Sequence, residues 1–306
     1  MANFAFSKAS IPGSLTLATS IGLLAAVAIG IVFWLHFHPA RSAPVARGGQ
    51  AVDLELALAV DNSASVDTGE ALLQRQGYVD AFRHPSVIQA IEEGHLGRIA
   101  VAYFEWAGEE VLSIVADWTI IEDRESAFEF ANKLASAPPG NHPGTSISSA
   151  IEYAVPLIQT NAFNGRRRVI DISGDGPNNS GGLVVAARDR AVMAGMTING
   201  LPILNVGDGK LSYFNIPDLD LYYRNCVIGG PGAFVVVADT FSDFARAVRR
   251  KLILEIAGLT PPGQNRNAGA GIHLAGARRS AQLKPAQAPP CDIGESLWQN
   301  RYLLDF

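Results

Sequence analysis

Between residues 52 and 258, short apolar runs alternate with stretches of helical period. The β-branched, apolar runs fall at Leu54–Val60, Ile99–Phe104, Val111–Val115, Arg168–Ile172, Thr197–Leu204 and Phe234–Val237. Continuous runs of this kind suit strands covered on both faces. Between them, Asp67 with Glu70 three residues on is a capping-box signature for a helix reaching Phe82. His84-Pro85 ends that helix, and Ser86 caps a short second one through Ile91. Further helices fit Glu122–Ala135, Ser146–Ile158, Gly181–Ala194 and Phe241–Ile256, the last with Phe241, Phe244, Ala245, Val248 and Leu252 on one face. Strand and helix in alternation predict an α/β fold. The sheet is doubly wound, mostly parallel and six-stranded, with helices on both faces. Val111–Val115 follows Ile99–Phe104 after a short turn, so this pair is expected to be antiparallel, with one strand at an edge.

The pattern changes at both ends. Leu15–Phe37 is apolar and contains no Asp, Glu, Lys or Arg. At about 1.5 Å rise per residue it is long enough to span a bilayer. It reads as an uncleaved anchor. A signal peptide cleaved near Ala40-Arg-Ser42 is the competing reading, though a signal's apolar core is usually shorter. Lys8 precedes the run and Arg41 and Arg47 follow it, so charge alone gives little orientation. The expected organisation is an N-terminal segment 1–14, a span 15–37, a linker 38–50, one domain 51–258 and a tail 259–306. The tail is rich in Pro, Gly and Ala and is expected to be largely disordered. Its more apolar end, Trp298–Phe306, reads either as a docking segment or as a loose terminus.

Composition narrows the functional classes. The chain has 306 residues, 48% hydrophobic and 17% charged, with a net charge of -5. Basic runs are short (Arg166–Arg168, Arg249–Lys251), so nucleic acid is not an expected partner. The only two cysteines are Cys226 and Cys291, with no Cys-x-x-Cys and no His pair at metal spacing in the globular part, which argues against zinc. The two thiols either pair in an oxidising compartment or stay free; both readings remain open.

The chemistry concentrates where strands end. Val52–Val60 leads into Asp61-Asn-Ser63-Ala-Ser65, a carboxylate and two hydroxyls at alternate positions. A second loop, Gly140-Asn-His-Pro-Gly-Thr145-Ser146, precedes a helix. A third, Asp171-Ile-Ser-Gly-Asp175-Gly-Pro-Asn-Asn-Ser, follows a strand. Hard oxygens suit Mg²⁺, Mn²⁺ or Ca²⁺. Each residue also has a plainer role: Asp61 and Ser63 as turn caps, Thr145 as a helix N-cap, Asp175-Gly as a turn. Their joint occurrence on three such loops favours the metal.

At these residues the chain resembles the von Willebrand factor type A family. That family's metal-ion-dependent adhesion site (MIDAS) joins D-x-S-x-S to a threonine and an aspartate from two other loops. The matching positions are Asp61, Ser63, Ser65, Thr145 and Asp175. Segments such as Val169-Ile-Asp-Ile-Ser-Gly-Asp-Gly-Pro-Asn-Asn and Gly229-Gly-Pro-Gly-Ala-Phe are further similar to an uncharacterised bacterial subfamily of exported proteins. The resemblance implies a Mg²⁺-dependent binding module, not an enzyme. Ser63 and Ser65 would bind the ion directly, Thr145 directly or through water, and Asp61 and Asp175 mostly through water. A protein partner's Asp or Glu would complete the shell. With the N-terminal segment, it implies a membrane-anchored domain in the periplasm or outside the cell, or a secreted one if the segment is cleaved.

Two other classes compete. Gly174–Asn179 also resembles a loop of haloacid-dehalogenase-type phosphatases. Those enzymes place a second Asp two residues after the nucleophile, where this chain has Ser63, and a carboxylate where it has Asn179. The third class is a metal-free scaffold. Among other residues, Asp171, Asn178 and Asn179 are expected to be structural, His142 a solvated loop residue, and Trp106 and Trp118 packing residues. Segment 205–232, with Tyr213, Phe214, Tyr222 and Tyr223, is expected to form part of a partner surface; a self-packed loop pinned by Cys226 is its alternative.

Overall fold

A computed structural model describes residues 48–138, 140–205, 216–262, 264 and 288–304, with side chains to 299. The described residues lie in one compact unit. The expected span 15–37 and the linker up to residue 47 lie outside them. Among the described residues, no helix is long and apolar enough to cross a membrane.

Five strands form the sheet: β1 (Gln50–Asp61), β2 (Ile99–Trp106), β3 (Leu112–Ile121), β4 (Phe163–Gly174) and β5 (Thr197–Pro202). Their order is β3-β2-β1-β4-β5. All neighbours are parallel except β2 and β3. The antiparallel pair is the one the short 107–111 connection requires, since a tight turn cannot join parallel neighbours.

The expected sixth strand is interrupted. Phe234–Ala238 lies parallel to β5 but joins it only at isolated bridges, Gly200 with Val235 and Ile203 with Ala238. The cause is Pro202. Gly200 N donates to Phe234 O, Val236 N to Gly200 O, Ala238 N to Pro202 O and Leu204 N to Ala238 O. The missing rung is the one Pro202, lacking an N–H, would donate.

Side-chain alternation along β1 feeds two cores. Leu54, Leu56, Leu58 and Val60 face one, packed by α1 (Thr68–Arg83), α2 (Pro85–Glu92), α3 (Arg124–Ser136) and α7 (Phe244–Ala257). Ala57 and Ala59 face the other, packed by α4 (Ile147–Gln159), α5 (Val184–Met193) and α6 (Leu219–Tyr222). The small Ala positions share this core with Phe104, Trp106, Tyr222 and Tyr223. A one-residue slip would exchange these faces, so the register is strongly set.

Side-chain caps fix the starts of α1 to α4. Asp67 and Glu70 form the expected capping box. The α4 cap is Ser146, not Thr145, which leaves the Thr145 hydroxyl outside that role. Ile293–Leu304 forms α8, and Cys291 just before it is bonded to Cys226. Ile293 and Cys291 pack on the second core. The remainder of the expected disordered tail, 265–287, lies outside the described residues.

Candidate metal centre

The chain leaves β1 toward β2 on one side and leaves the neighbouring β4 toward β5 on the other. The C-terminal ends of β1 and β4 therefore border a topological switch point, the place where open α/β sheets leave a crevice. Asp61 ends β1 and Asp175 follows β4. Thr145 reaches the same place because the loop before α4 is stitched to its neighbours: Ser146 N donates to Ala107 O (2.7 Å), His142 N to Asn62 O (3.1 Å) and Asn179 N to Thr145 O (2.9 Å).

Four of the five expected residues are linked by hydrogen bonds. Ser63 N donates to Asp61 Oδ1 at 2.8 Å. The Ser63 and Ser65 hydroxyls lie 2.9 Å apart, and Ser65 Oγ donates to Asp175 Oδ1 at 2.8 Å. Thr145 is joined through its backbone, its N–H donating to Asn179 Oδ1 at 2.9 Å. Asp61, Ser63, Thr145 and Asp175 are buried; Ser65 is half-buried.

The electrostatics are unbalanced. Asp61 Oδ2 is buried without a hydrogen-bond partner. Burial, and next the Asp175 charge, push the Asp61 carboxyl up to about 8. Burial raises Asp175 to about 6, with Glu70 adding to it and Ser65 opposing it. Two buried carboxylates side by side with an unsatisfied oxygen fit a bound cation, which would supply the missing positive charge. Among the described residues no group of three or more His, Cys, Asp or Glu could hold a metal. Beside Asp61 and Asp175, the Ser63 and Ser65 hydroxyls add oxygen donors of the kind hard divalent cations take.

A supporting layer lies beneath, and sequence reasoning missed most of it. Gly174 is required: a Cβ there would meet Asp61 Oδ2 at 2.8 Å and the Tyr223 hydroxyl at 3.0 Å. Asn62 Nδ2 donates to Glu105 Oε2 at 2.9 Å, and Glu105 forms an ion pair with Arg75. Arg75 Nη1 also donates to Ala137 O at 2.6 Å. Glu105 carries a signal that could have found it, a lone carboxylate inside the apolar run Tyr103-Phe104-Glu105-Trp106.

Tyr222 and Tyr223 are fully buried, which overturns their expected place on a partner surface. They lie on α6 and the following π-helical turn Tyr223–Val227. The Tyr222 hydroxyl accepts from Asn178 N at 3.1 Å. Tyr213 and Phe214 lie outside the described residues. Asn178 and Asn179 shape the third loop as expected. Asp171 is structural too, paired with buried Lys251 at 2.5 Å. Trp118 packs at the edge and donates to Leu157 O at 3.1 Å.

The architecture is an α/β fold with a five-stranded, mostly parallel sheet. Residues 51–260 match the family described as Protein of unknown function (DUF1194), and the chain belongs to that family. No curated protein matches the chain. Among solved structures, the chain is similar to the pilus adhesin SpaC from Lactobacillus rhamnosus GG, at 12% identity and TM-score 0.50 over 69% of this chain and 31% of that one. It is also similar to a von Willebrand factor type A protein from Catenulispora acidiphila (13% identity, TM-score 0.47, 67% and 43%). A third is proximal thread matrix protein 1 from the mussel byssus, whose structure has a zinc-occupied MIDAS motif (13%, TM-score 0.44, 68% and 49%). The chain spans less than half the length of each of these proteins.

Proposed function

We propose that this domain is a metal-dependent binding module that takes Mg²⁺, with Mn²⁺ or Ca²⁺ as substitutes, through Asp61, Ser63, Ser65, Thr145 and Asp175. The observation that carries the reading is the unpartnered, buried Asp61 Oδ2 beside a second buried carboxylate. Hydroxyl ligands leave most of the ion's charge uncompensated, so a carboxylate from a protein partner completes its shell.

The phosphatase alternative lacks its acid/base group. Ser63 occupies that position, with its backbone N–H on Asp61 Oδ1 and its hydroxyl on Ser65. The module therefore binds and does not turn over. We further infer that it works outside the cytoplasm, anchored by residues 15–37. The Cys226–Cys291 disulfide supports this, because such bonds persist in oxidising compartments.

Calorimetric titration of the full chain with Mg²⁺ and Mn²⁺ tests the site. Binding heat that disappears in Ser63→Ala with Thr145→Ala is expected. No heat in the wild type would favour the metal-free scaffold. Phosphatase turnover abolished by Asp61→Asn would favour the enzyme. A tag after Phe306, cleaved by protease added to intact cells, tests the exported placement.

A further inference from the structure

The third loop of the site is held from behind by the end of the chain. Asn178 is fully buried and bonded on every side. Its N–H donates to the Tyr222 hydroxyl (3.1 Å), its Oδ1 accepts from Ser148 N (2.9 Å), and its Nδ2 donates to Glu295 Oε1 (2.7 Å). The next residue, Asn179, holds Thr145 through both its backbone N–H and its Oδ1. Glu295 therefore bonds the loop that orders Thr145 and follows Asp175.

The contact is close as well as polar. A Cβ on Gly294 would overlap Asn178 O and lie 2.7 Å from its carbonyl carbon. Three residues before Gly294, Cys291 is bonded to Cys226 of the π-helical turn, the same turn that begins with Tyr223. The disulfide thus fixes both sides of the loop at once: Tyr222 and Tyr223 through Cys226, and Glu295 through Cys291.

We propose that Cys291–Glu295 is a latch that positions the metal-site loop, so that the disulfide sets the metal affinity of the domain. This rests on the metal reading given above. A dithiol would open the latch. Its two thiols reduce the S–S bond to two cysteine thiols, each sulfur gaining one electron and one proton, and the dithiol leaves as its own disulfide. Neither Glu295 nor Gly294 belongs to the proposed ligand set, so the effect passes through the loop alone.

The test compares the full-length oxidised chain with three variants: Cys226→Ser with Cys291→Ser, Gly294→Ala, and Glu295→Gln. Mn²⁺ affinity is read by calorimetry, and amide hydrogen exchange is read over residues 175–182. Outer-shell partners are commonly worth about 10-fold or more in metal affinity. A loss of about that size is expected in the double Ser and Gly294→Ala variants, and a smaller one in Glu295→Gln, with faster exchange in the loop. Gly294→Ala leaves the disulfide in place, so it keeps the test open if the double Ser variant does not fold. Unchanged affinity and unchanged exchange in all three overturn the latch. If the wild type itself binds no Mn²⁺, the metal reading falls, and exchange alone decides: unchanged protection overturns the latch, and lost protection retains it as a clamp on the loop.

Discussion

Asp61 and Asp175 stand in an environment that disfavours their own charge. Burial raises both carboxyls, Asp61 to about 8 and Asp175 to about 6. For carboxyls raised above their unfolded value, the associated stability is full below the ordinary carboxylate range and is lost as pH rises through about 6 and then about 8. The metal-free domain is therefore expected to melt at a higher temperature at pH 5 than at pH 8, and Mg²⁺ to close much of that gap at pH 8. Asp61→Asn separates the two effects. It removes a charge that folding buries, so it should stabilise the metal-free domain at pH 8 by at least about 1 kcal/mol, close to the free energy of a tenfold change in proton affinity. It should also abolish the stabilisation by Mg²⁺. Scanning calorimetry at both pH values, with and without the ion, checks this. A pH profile unchanged by Asp61→Asn would place the burden elsewhere, on Glu255 for example, which burial and Asp171 also raise, to about 7.

At the scale of elements, α7 is attached to the sheet by charge as well as by apolar packing. Lys251, wholly buried on α7, meets Asp171 of β4 at 2.5 Å and also pairs with Glu255. Asn199 of β5 donates to Glu255 Oε1 at 2.9 Å and accepts from Phe234 N at 3.0 Å. Lys251→Met leaves two buried carboxyls without their cation. Breaking such a pair commonly costs about 3–5 kcal/mol, and urea unfolding should show a loss in that range with an unchanged slope. Much of this architecture is legible in the sequence, because alternation of apolar runs and capping residues such as Asp67 is decided locally. The three site loops are legible for a related reason: each follows or precedes an element whose place the pattern already sets. Other parts depend on long-range contacts. Pro202 breaks the sixth strand only because its partner requires an N–H there. The Lys251–Asp171 pairing joins residues from distant elements, so neither partner announces the other. The burial of Tyr222 and Tyr223 does carry a local signal. Leu219, Tyr222, Tyr223, Cys226 and Val227 recur at helical spacing, the mark of a buried face rather than an exposed loop.

For the whole domain, the site and the chain's point of entry lie at opposite edges of the sheet. β1 enters at Gln50 and ends at Asp61, a strand of 12 residues, which at about 3.3 Å per residue separates the two edges by roughly 36 Å. The loops of the proposed metal site are therefore presented away from the edge where β1 begins. Segment 291–295 behaves differently: it lies at the edge that carries Asp61 and Asp175, where Cys291 is bonded to Cys226 and Glu295 to Asn178. Cys226 and Cys291 are 65 residues apart, and in the chain-entropy account closing a loop of that length stabilises the folded state by about 4 kcal/mol. That is a large share of the roughly 5–15 kcal/mol typical of a domain. Urea unfolding of the oxidised chain, with and without an excess of dithiol, is expected to show a loss of a few kcal/mol on reduction. The Cys226→Ser, Cys291→Ser variant should match the reduced wild type and be insensitive to dithiol. The variant also distinguishes two origins of the effect. If the disulfide acts only by restricting the unfolded chain, reduction lowers stability while hydrogen exchange in the folded loop 175–182 stays the same. If it also holds the loop, local exchange accelerates under conditions where the domain remains folded.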